Sequence, residues 1–335
     1  MNWDKGYSAS YYATVVDTTT WRDTERFEIT GGSVKREADG LMQSCDIDCV
    51  GYPEGIEQYV RVYMDTKQEG DAEHVALFTG LATSPDRETE ATLVTNKVAC
   101  YSVLKPCEDV MLQRGWYAPA GANGADIVEK LLSVSPAPVE RDEVDAPSLT
   151  QSIVSEDGET NLSMAQKVLT AMNWRMLLRG DGTVFLTPIA DQPVMVFNPL
   201  DNDVIEAPIK VKGDWYGCPN VFMAIDDDLT AIARDEDEDS ILSIPARGRE
   251  VWMHESNCDL ADNETIAEYA RRRLQEEQRY EVSASYDRRF FPDVNVTDII
   301  TLRYPEQNLV GSFYVESQTI ELGYGAKVSE EVIKK

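Results

Sequence analysis

The chain is short of the residues that most catalytic and metal-binding chemistry needs. Only two histidines, His74 and His254, stand in 335 residues, so Ser-His or Cys-His nucleophilic catalysis has at most two bases to draw on. His74 directly precedes the apolar run 75–78, and neither histidine lies near a Gly-x-Ser-x-Gly elbow. Six cysteines are too sparse for a disulfide framework in a chain this long and read as free thiols. They carry no zinc signature either. Cys45 and Cys49 sit on one predicted strand without a Cys-x-x-Cys pair, and Cys100 and Cys107 bracket a strand end. His254 and Cys258 have helix-face spacing but no further ligand. Long apolar runs are also missing: nothing approaches the roughly 18 residues of a membrane span. Met1-Asn2-Trp3-Asp4-Lys5 leads into polar and aromatic sequence rather than a secretory apolar segment. The expectation is assembly in the cytoplasm without direct membrane insertion.

Basic residues are scarce as well. Lys and Arg number 31 against 60 acids, a net charge of −29, which argues against a nucleic-acid grip and against docking on an anionic membrane. A surface of this sign keeps a protein soluble and repels polyanions. The acids cluster at Asp226, Asp227 and Asp228 and again at Asp235, Glu236, Asp237, Glu238 and Asp239, two candidate acidic loop or lumen sites. Read from Asp226, the stretch lacks the glycine at the sixth place and the glutamate at the twelfth that a calcium loop requires. Among sixty acids some pair always has glycosidase spacing, so paired carboxylates carry no signal. Gly121-Ala122-Asn123-Gly124 precedes a helix but lacks the Gly-Lys-Ser/Thr ending of a phosphate loop. No catalytic residue, metal or cofactor is expected.

What is present is material for a folded, β-rich, multidomain protein: 42% hydrophobic residues, 6 Trp and 15 Tyr. Residues 1–105 read as short strands. Cys45, Ile47 and Cys49 alternate with Asp46 and Asp48, the pattern of a half-buried antiparallel strand. Phe27-Glu28-Ile29-Thr30 runs into Gly31-Gly32, and runs 59–64, 75–80 and 98–104 repeat the theme between Gly, Pro and acidic turns. After Pro106 the period changes. Ile127, Val128, Leu131 and Leu132 form one helical stripe, and Met164, Val168, Leu169 and Met172 a second that opens near Ser163 with Gln166 at capping-box spacing. Trp174, Met176 and Leu178 then alternate into the turn Gly180-Asp181-Gly182. A later helix is expected near 262–278, with Ile266, Ala270 and Leu274 inward and Arg271-Arg272-Arg273 offset by Glu276 and Glu277. Strands follow at 280–286, 299–303, 311–317 and 319–322.

Read in order, these segments resemble the tail hub proteins of tailed phages. Phe78-Thr79-Gly80-Leu81 stands where that family has a short glycine-containing strand, and Leu104 to Asp109 where it has the following loop. Residues 125–132 and 164–187 are similar to its helix, second helix and Asp-Gly hairpin, and 267–274 with 298–318 to its closing helix and strands. One departure is the segment 292–298, which lacks the family's turn glycine. The resemblance implies a mainly β fold with an inserted α+β domain and two tail-tube-like β-barrel domains. The first barrel would occupy 1–105, completed by strands from 205–228, the insert 106–200 and the second barrel 229–335. It further implies a homotrimeric ring that continues the tail tube in the virion tail tip or baseplate and leaves a channel for DNA ejection. The partners would be a distal tail or tube protein, a tape measure protein and tip, spike or fibre proteins. An acidic lumen would let DNA pass without adhering.

Two other readings compete with this one. A β-rich tail-tip receptor-binding protein would bind glycan through exposed aromatics, for which Trp116-Tyr117 is the best pair. A tail-associated cell-wall hydrolase would need a further domain, for which the chain leaves no unassigned residues.

Overall fold

The computed structural model describes the chain except residues 54, 91–92, 190–191, 201–203, 214, 227–228, 257, 259–264, 279–281 and 308. It divides into two compact units, Met1–Ile209 with Tyr286–Ile333, and Lys210–Ser285.

The N-terminal strands are β1 (Ser8–Asp17), β2 (Arg22–Glu37), β3 (Gln43–Val50), β4 (Tyr59–Gln68), β5 (Asp71–Ala82), β6 (Asp86–Glu90) and β7 (Leu93–Ser102). Six of them close a ring of antiparallel pairings, β1-β4-β5-β7-β3-β2 and back to β1, while β6 hangs on β7. Alternation fills the inside: Cys45, Ile47 and Cys49 of β3 are buried with Val60, Val62 and Met64 of β4, Leu77 and Phe78 of β5, and Val98 and Cys100 of β7. The barrel is thus a packed core and has no bore of its own.

Its closure needs no strand from 205–228, in contrast to the expected completion. A ring closes when register and curvature match, and here the curvature comes from register shifts at Thr14/Val16, Ile29/Gly31 and Val62/Tyr63. Gly31-Gly32 therefore does not end β2 but bends it. Gly32 has φ of 132°, and a Cβ there would sit 2.1 Å from the Asp46 carbonyl oxygen. Beyond the bend, Ser33 to Arg36 pairs with β3 on one side, and Ser33 to Glu37 pairs with the later segment Ser317–Glu321 on the other.

The insert comprises α1 (Lys105–Asp109), β8 (Tyr117–Ala118), α2 (Gly124–Leu132), β9 (Val139–Arg141), β10 (Ile153–Val154), α3 (Asn161–Met172), β11 (Trp174–Leu178) and β12 (Val184–Pro188). Helices α2 and α3 bury Val128, Leu131 and Leu132 against Met164, Val168 and Leu169, with the three-stranded sheet β11-β12-β9 completing the core. The capping box of α3 lies three residues earlier than the Ser163–Gln166 spacing implied. Thr160 is the N-cap and Ser163 the third helical residue, each bonding the other's backbone N–H.

β13 (Met195–Phe197) and β14 (Ile205–Gly213) follow, and the chain passes into the smaller unit within β14. That unit holds β15 (Val221–Asp226), β16 (Leu229–Arg234), α4 (Ile244–Arg247), β17 (Trp252–Ser256) and α5 (Ile266–Glu277). Its sheet has the order β16-β15-β17. Tyr269, Ala270 and Leu274 of α5 pack on Phe222, Ala224 and Ala233. Thr265 and Glu268 form the helix's capping box, and Arg272 and Arg273 pair with Glu276, with Arg273 also reaching Glu255 and Glu277.

The chain returns through β18 (Val282–Arg288), then β19 (Ile299–Tyr304), β20 (Leu309–Glu321) and β21 (Val328–Lys334). The sheet path runs from β2 through β20, β21 and β18 to β14, with β19 on β20 and β13 on β19. Residues 229–335 therefore do not form one body, as the expected second barrel would: β16, β17 and α5 group with β15, whereas β19–β21 join β2. Pairing partners lie almost three hundred residues apart (Ser33 with Glu321), a distance over which strand patterning carries no information.

Candidate functional site

The sequence-predicted acidic clusters come first. Asp226 ends β15, while Asp227 and Asp228 lie outside the described residues. Asp235 is not a free loop charge: its carboxylate accepts from Ser240 Oγ at 2.7 Å, Gln278 Nε2 at 2.8 Å and the Asp237 backbone N–H at 3.1 Å. Asp237 in turn accepts from the Asp239 N–H at 3.0 Å. The run 235–239 is thus a folded turn that points Glu236, Asp237, Glu238 and Asp239 into solvent. Among the described residues, no group of three or more His, Cys, Asp and Glu side chains is placed to hold a metal ion.

The other sequence candidates resolve by packing. His254 is exposed on β17 opposite Met223, and Cys258 is buried with its thiol toward the Ile225 carbonyl, so their spacing is not that of a helix face. Cys45 and Cys100 face each other across β3 and β7 as buried free thiols, both pushed far above the usual thiol range by burial. His74 bonds Asp65 at 2.6 Å and Tyr12 at 3.3 Å, and stacks on Tyr63. The third group is a phenol raised above its ordinary value by burial and by Asp65, the opposite of an activated nucleophile. Trp116 packs against the insert core and Tyr117 is exposed on the short strand β8, so the pair is an anchor and a surface residue rather than a paired platform.

Sequence reasoning missed the charged seam that joins the barrel to the closing strands and the hairpin. Arg288 and Glu330 are 1% and 0% exposed and form a direct ion pair. Glu330 also accepts from Tyr286 at 2.7 Å and Gln318 at 2.8 Å. Arg175 of β11 reaches Asp298 at 3.1 Å and the Thr297 hydroxyl at 2.9 Å. Burial nevertheless raises the Asp298 carboxyl above its ordinary range, against the pull of the Asn295 N–H and of Arg175. Arg36 of β2 donates to Asn295 Oδ1 at 2.8 Å and to the Leu77 carbonyl at 2.9 Å. A signal was there to be read: Arg36 shares an inward face with Val34, Arg288 with Tyr286, and Glu330 with Val328 and Val332. A charge at inward parity between apolar neighbours has to find a partner from another strand.

A second lock holds the insert to the barrel. The tip of the β11–β12 hairpin offers the Gly180 carbonyl to Thr79 Oγ1 at 2.8 Å, and the Asp181 carbonyl to Trp21 Nε1 at 3.0 Å and to Arg61 at 2.9 Å. A Cβ on Gly180 would lie 1.8 Å from the Ala76 carbonyl oxygen. The Gly-Asp-Gly turn therefore reverses the chain and also permits backbone-to-backbone docking. Arrangements of this kind fix the insert against the barrel.

No family model matches the chain, and no curated protein matches its sequence. Solved structures do match. The 43 kDa tail protein of prophage MuSo2 from Shewanella oneidensis superposes with a TM-score of 0.68 at 13% identity, covering 98% of this chain and 97% of that one. The tail protein from Neisseria meningitidis MC58 gives 0.66 at 14% identity, covering 99% and 97%. A chain of the Francisella PdpA–VgrG complex gives 0.58 at 9% identity, with 98% of this chain covering 58% of that one. The mainly β fold with its α+β insert is the fold of these tail proteins.

Proposed function

We propose that the chain is a structural hub protein of a phage tail tip or baseplate, non-enzymatic, and assembled as a homotrimeric ring that continues the tail tube. The observation that carries this reading is coverage: barrel, insert, smaller unit and closing strands together match two tail proteins over 97% of each. The internal chemistry supports it. Its buried ion pairs tie strands to one another, and burial pushes the Cys45 and Cys100 thiols above their ordinary range. Strand edges in such a ring are covered by neighbouring copies and by the tube, tape measure and tip or fibre proteins that adjoin it.

The ring leaves a channel through which DNA passes without adhering, because a chain of net charge −29 repels phosphate. Asp226 to Asp228 and the exposed acids of 235–239 are the candidate channel-facing charges. Light scattering on the purified protein tests the assembly: a species of three times the 37.5 kDa chain mass is expected, and a monomer at every concentration overturns the hub. Retention of duplex DNA by the ring at physiological salt overturns the non-adhesive wall alone.

A further inference from the structure

The seam that joins β2, the hairpin and residues 290–296 is unbalanced: it contains the guanidiniums of Arg36, Arg175 and Arg288 but only the carboxylates of Asp298 and Glu330. Those two carboxylates are engaged by Arg175 and Arg288. Arg36, 4% exposed, has only neutral acceptors, Asn295 and the Leu77 carbonyl, and its Nε meets no acceptor. Among the described residues no carboxylate pairs with it. Burial and the repulsion of Arg288 lower its pKa to about 10, which still leaves it a cation at neutral pH. An unpaired buried cation is costly wherever it stands.

Arg36 also lines a cavity of about 360 Å³ whose walls are largely apolar, among them Val75, Leu177, Phe185 and Phe290, with Asn295 beside the guanidinium. Arg179 on the same lining is already paired with Glu140 at 2.7 Å and lies over the Phe185 ring. The missing element is thus an anion small enough to enter, with a stem that suits apolar walls.

We propose that this cavity is a carboxylate socket, in which a carboxylate on an apolar or peptide stem accepts a hydrogen bond from the buried Arg36 guanidinium. The carboxylate comes either from a free organic acid or from an Asp, Glu or C-terminal carboxylate of an adjoining chain. The proposal rests on the cavity and stands independently of the hub reading.

Calorimetric titration of the full-length protein with benzoate and with neutral benzamide at fixed ionic strength tests it, with 4-bromobenzoate soaked into crystals to locate the site. Benzoate is expected to bind at least about tenfold more tightly than benzamide, because a site built around a charged donor rejects an analogue that cannot answer it. Arg36→Met should abolish benzoate binding. In case that variant fails to fold, Asn295→Asp supplies a carboxylate 2.8 Å from the Arg36 Nη1 position and should abolish binding while raising Tm. Blocked peptides carrying Glu or Gln separate the sources: binding of the Glu peptide alone assigns the socket to a neighbouring chain, and binding of benzoate without either peptide assigns it to a free acid. Failure of all carboxylates to bind, benzamide binding as tightly as benzoate, or benzoate binding unchanged in Asn295→Asp, overturns the socket.

Discussion

The barrel of the larger unit and the sheet of the smaller one treat strand edges in opposite ways. The barrel pairs its six ring strands with one another until no ring edge is left, and even its long strand β2 lends its far half to β20. In the smaller unit β16 and β17 are both edge strands. Among the described residues only one face of that sheet carries a helix; on the other, Ile232 is 50% and Trp252 48% exposed. The barrel is held by closure and tied to the closing strands by a buried polar seam, the smaller sheet by one amphipathic helix and its cap. A structure of the first kind is specified from within, whereas one of the second kind has edges that another chain can extend.

Substitutions should separate the two regimes. The largest effect is expected from Glu330→Gln, which leaves the buried Arg288 without its counter-charge and should cost about 3–5 kcal/mol in the larger unit, read by urea denaturation. A loss below about 1 kcal/mol in that measurement would mean that strand pairing, not the ion pair between β18 and β21, holds the closing strands of the larger unit. Leu274→Ala removes the inward anchor of α5 and should cost about 3 kcal/mol, moving only the calorimetric transition of the smaller unit. If both transitions move together, the two units do not unfold separately and the comparison fails. Gly180→Ala forces the hairpin tip off the Ala76 backbone at a cost of about 2 kcal/mol, and amide exchange should quicken at Thr79 and Gly182. Thr265→Ala deletes the α5 cap for about 1 kcal/mol, again in the smaller unit only.

The smallest effect is a pH slope. The buried Asp298 carboxyl titrates above its ordinary value of 3.8. Between that value and the raised one, the folded chain keeps a proton that the unfolded chain has lost, so stability falls as pH rises across the window. Asp298→Asn should flatten this part of the curve relative to wild type, and an unchanged slope would show that the carboxyl is not raised in solution.

Much of the local structure was legible. The alternation of Cys45, Ile47 and Cys49 predicted β3, the stripes at 127–132 and 164–172 predicted α2 and α3, and Ile266, Ala270 and Leu274 predicted the inward face of α5. These features follow from side-chain periodicity, which the chain carries residue by residue. Gly31-Gly32 is ambiguous in sequence because glycine punctuates turns and bends alike, and only the neighbouring Asp46 carbonyl shows which one it is. The grouping of strands was not legible, because 229–335 reads as one β-rich stretch although β16 and β17 pair locally and β20 pairs with β2.

By itself, then, the amino-acid sequence determined the element types, the inward faces, the net negative charge and the scarcity of histidine, because each depends on composition or on spacing within one segment. Tertiary structure alone decided three things: that the N-terminal strands close on themselves, that Glu330 neutralises Arg288 from forty-two residues away, and that Arg36 has no carboxylate among the described residues. Each depends on which backbone lies beside which. Pairing energies between strands depend on register and proximity, and no periodicity within one strand encodes the partner that will face it.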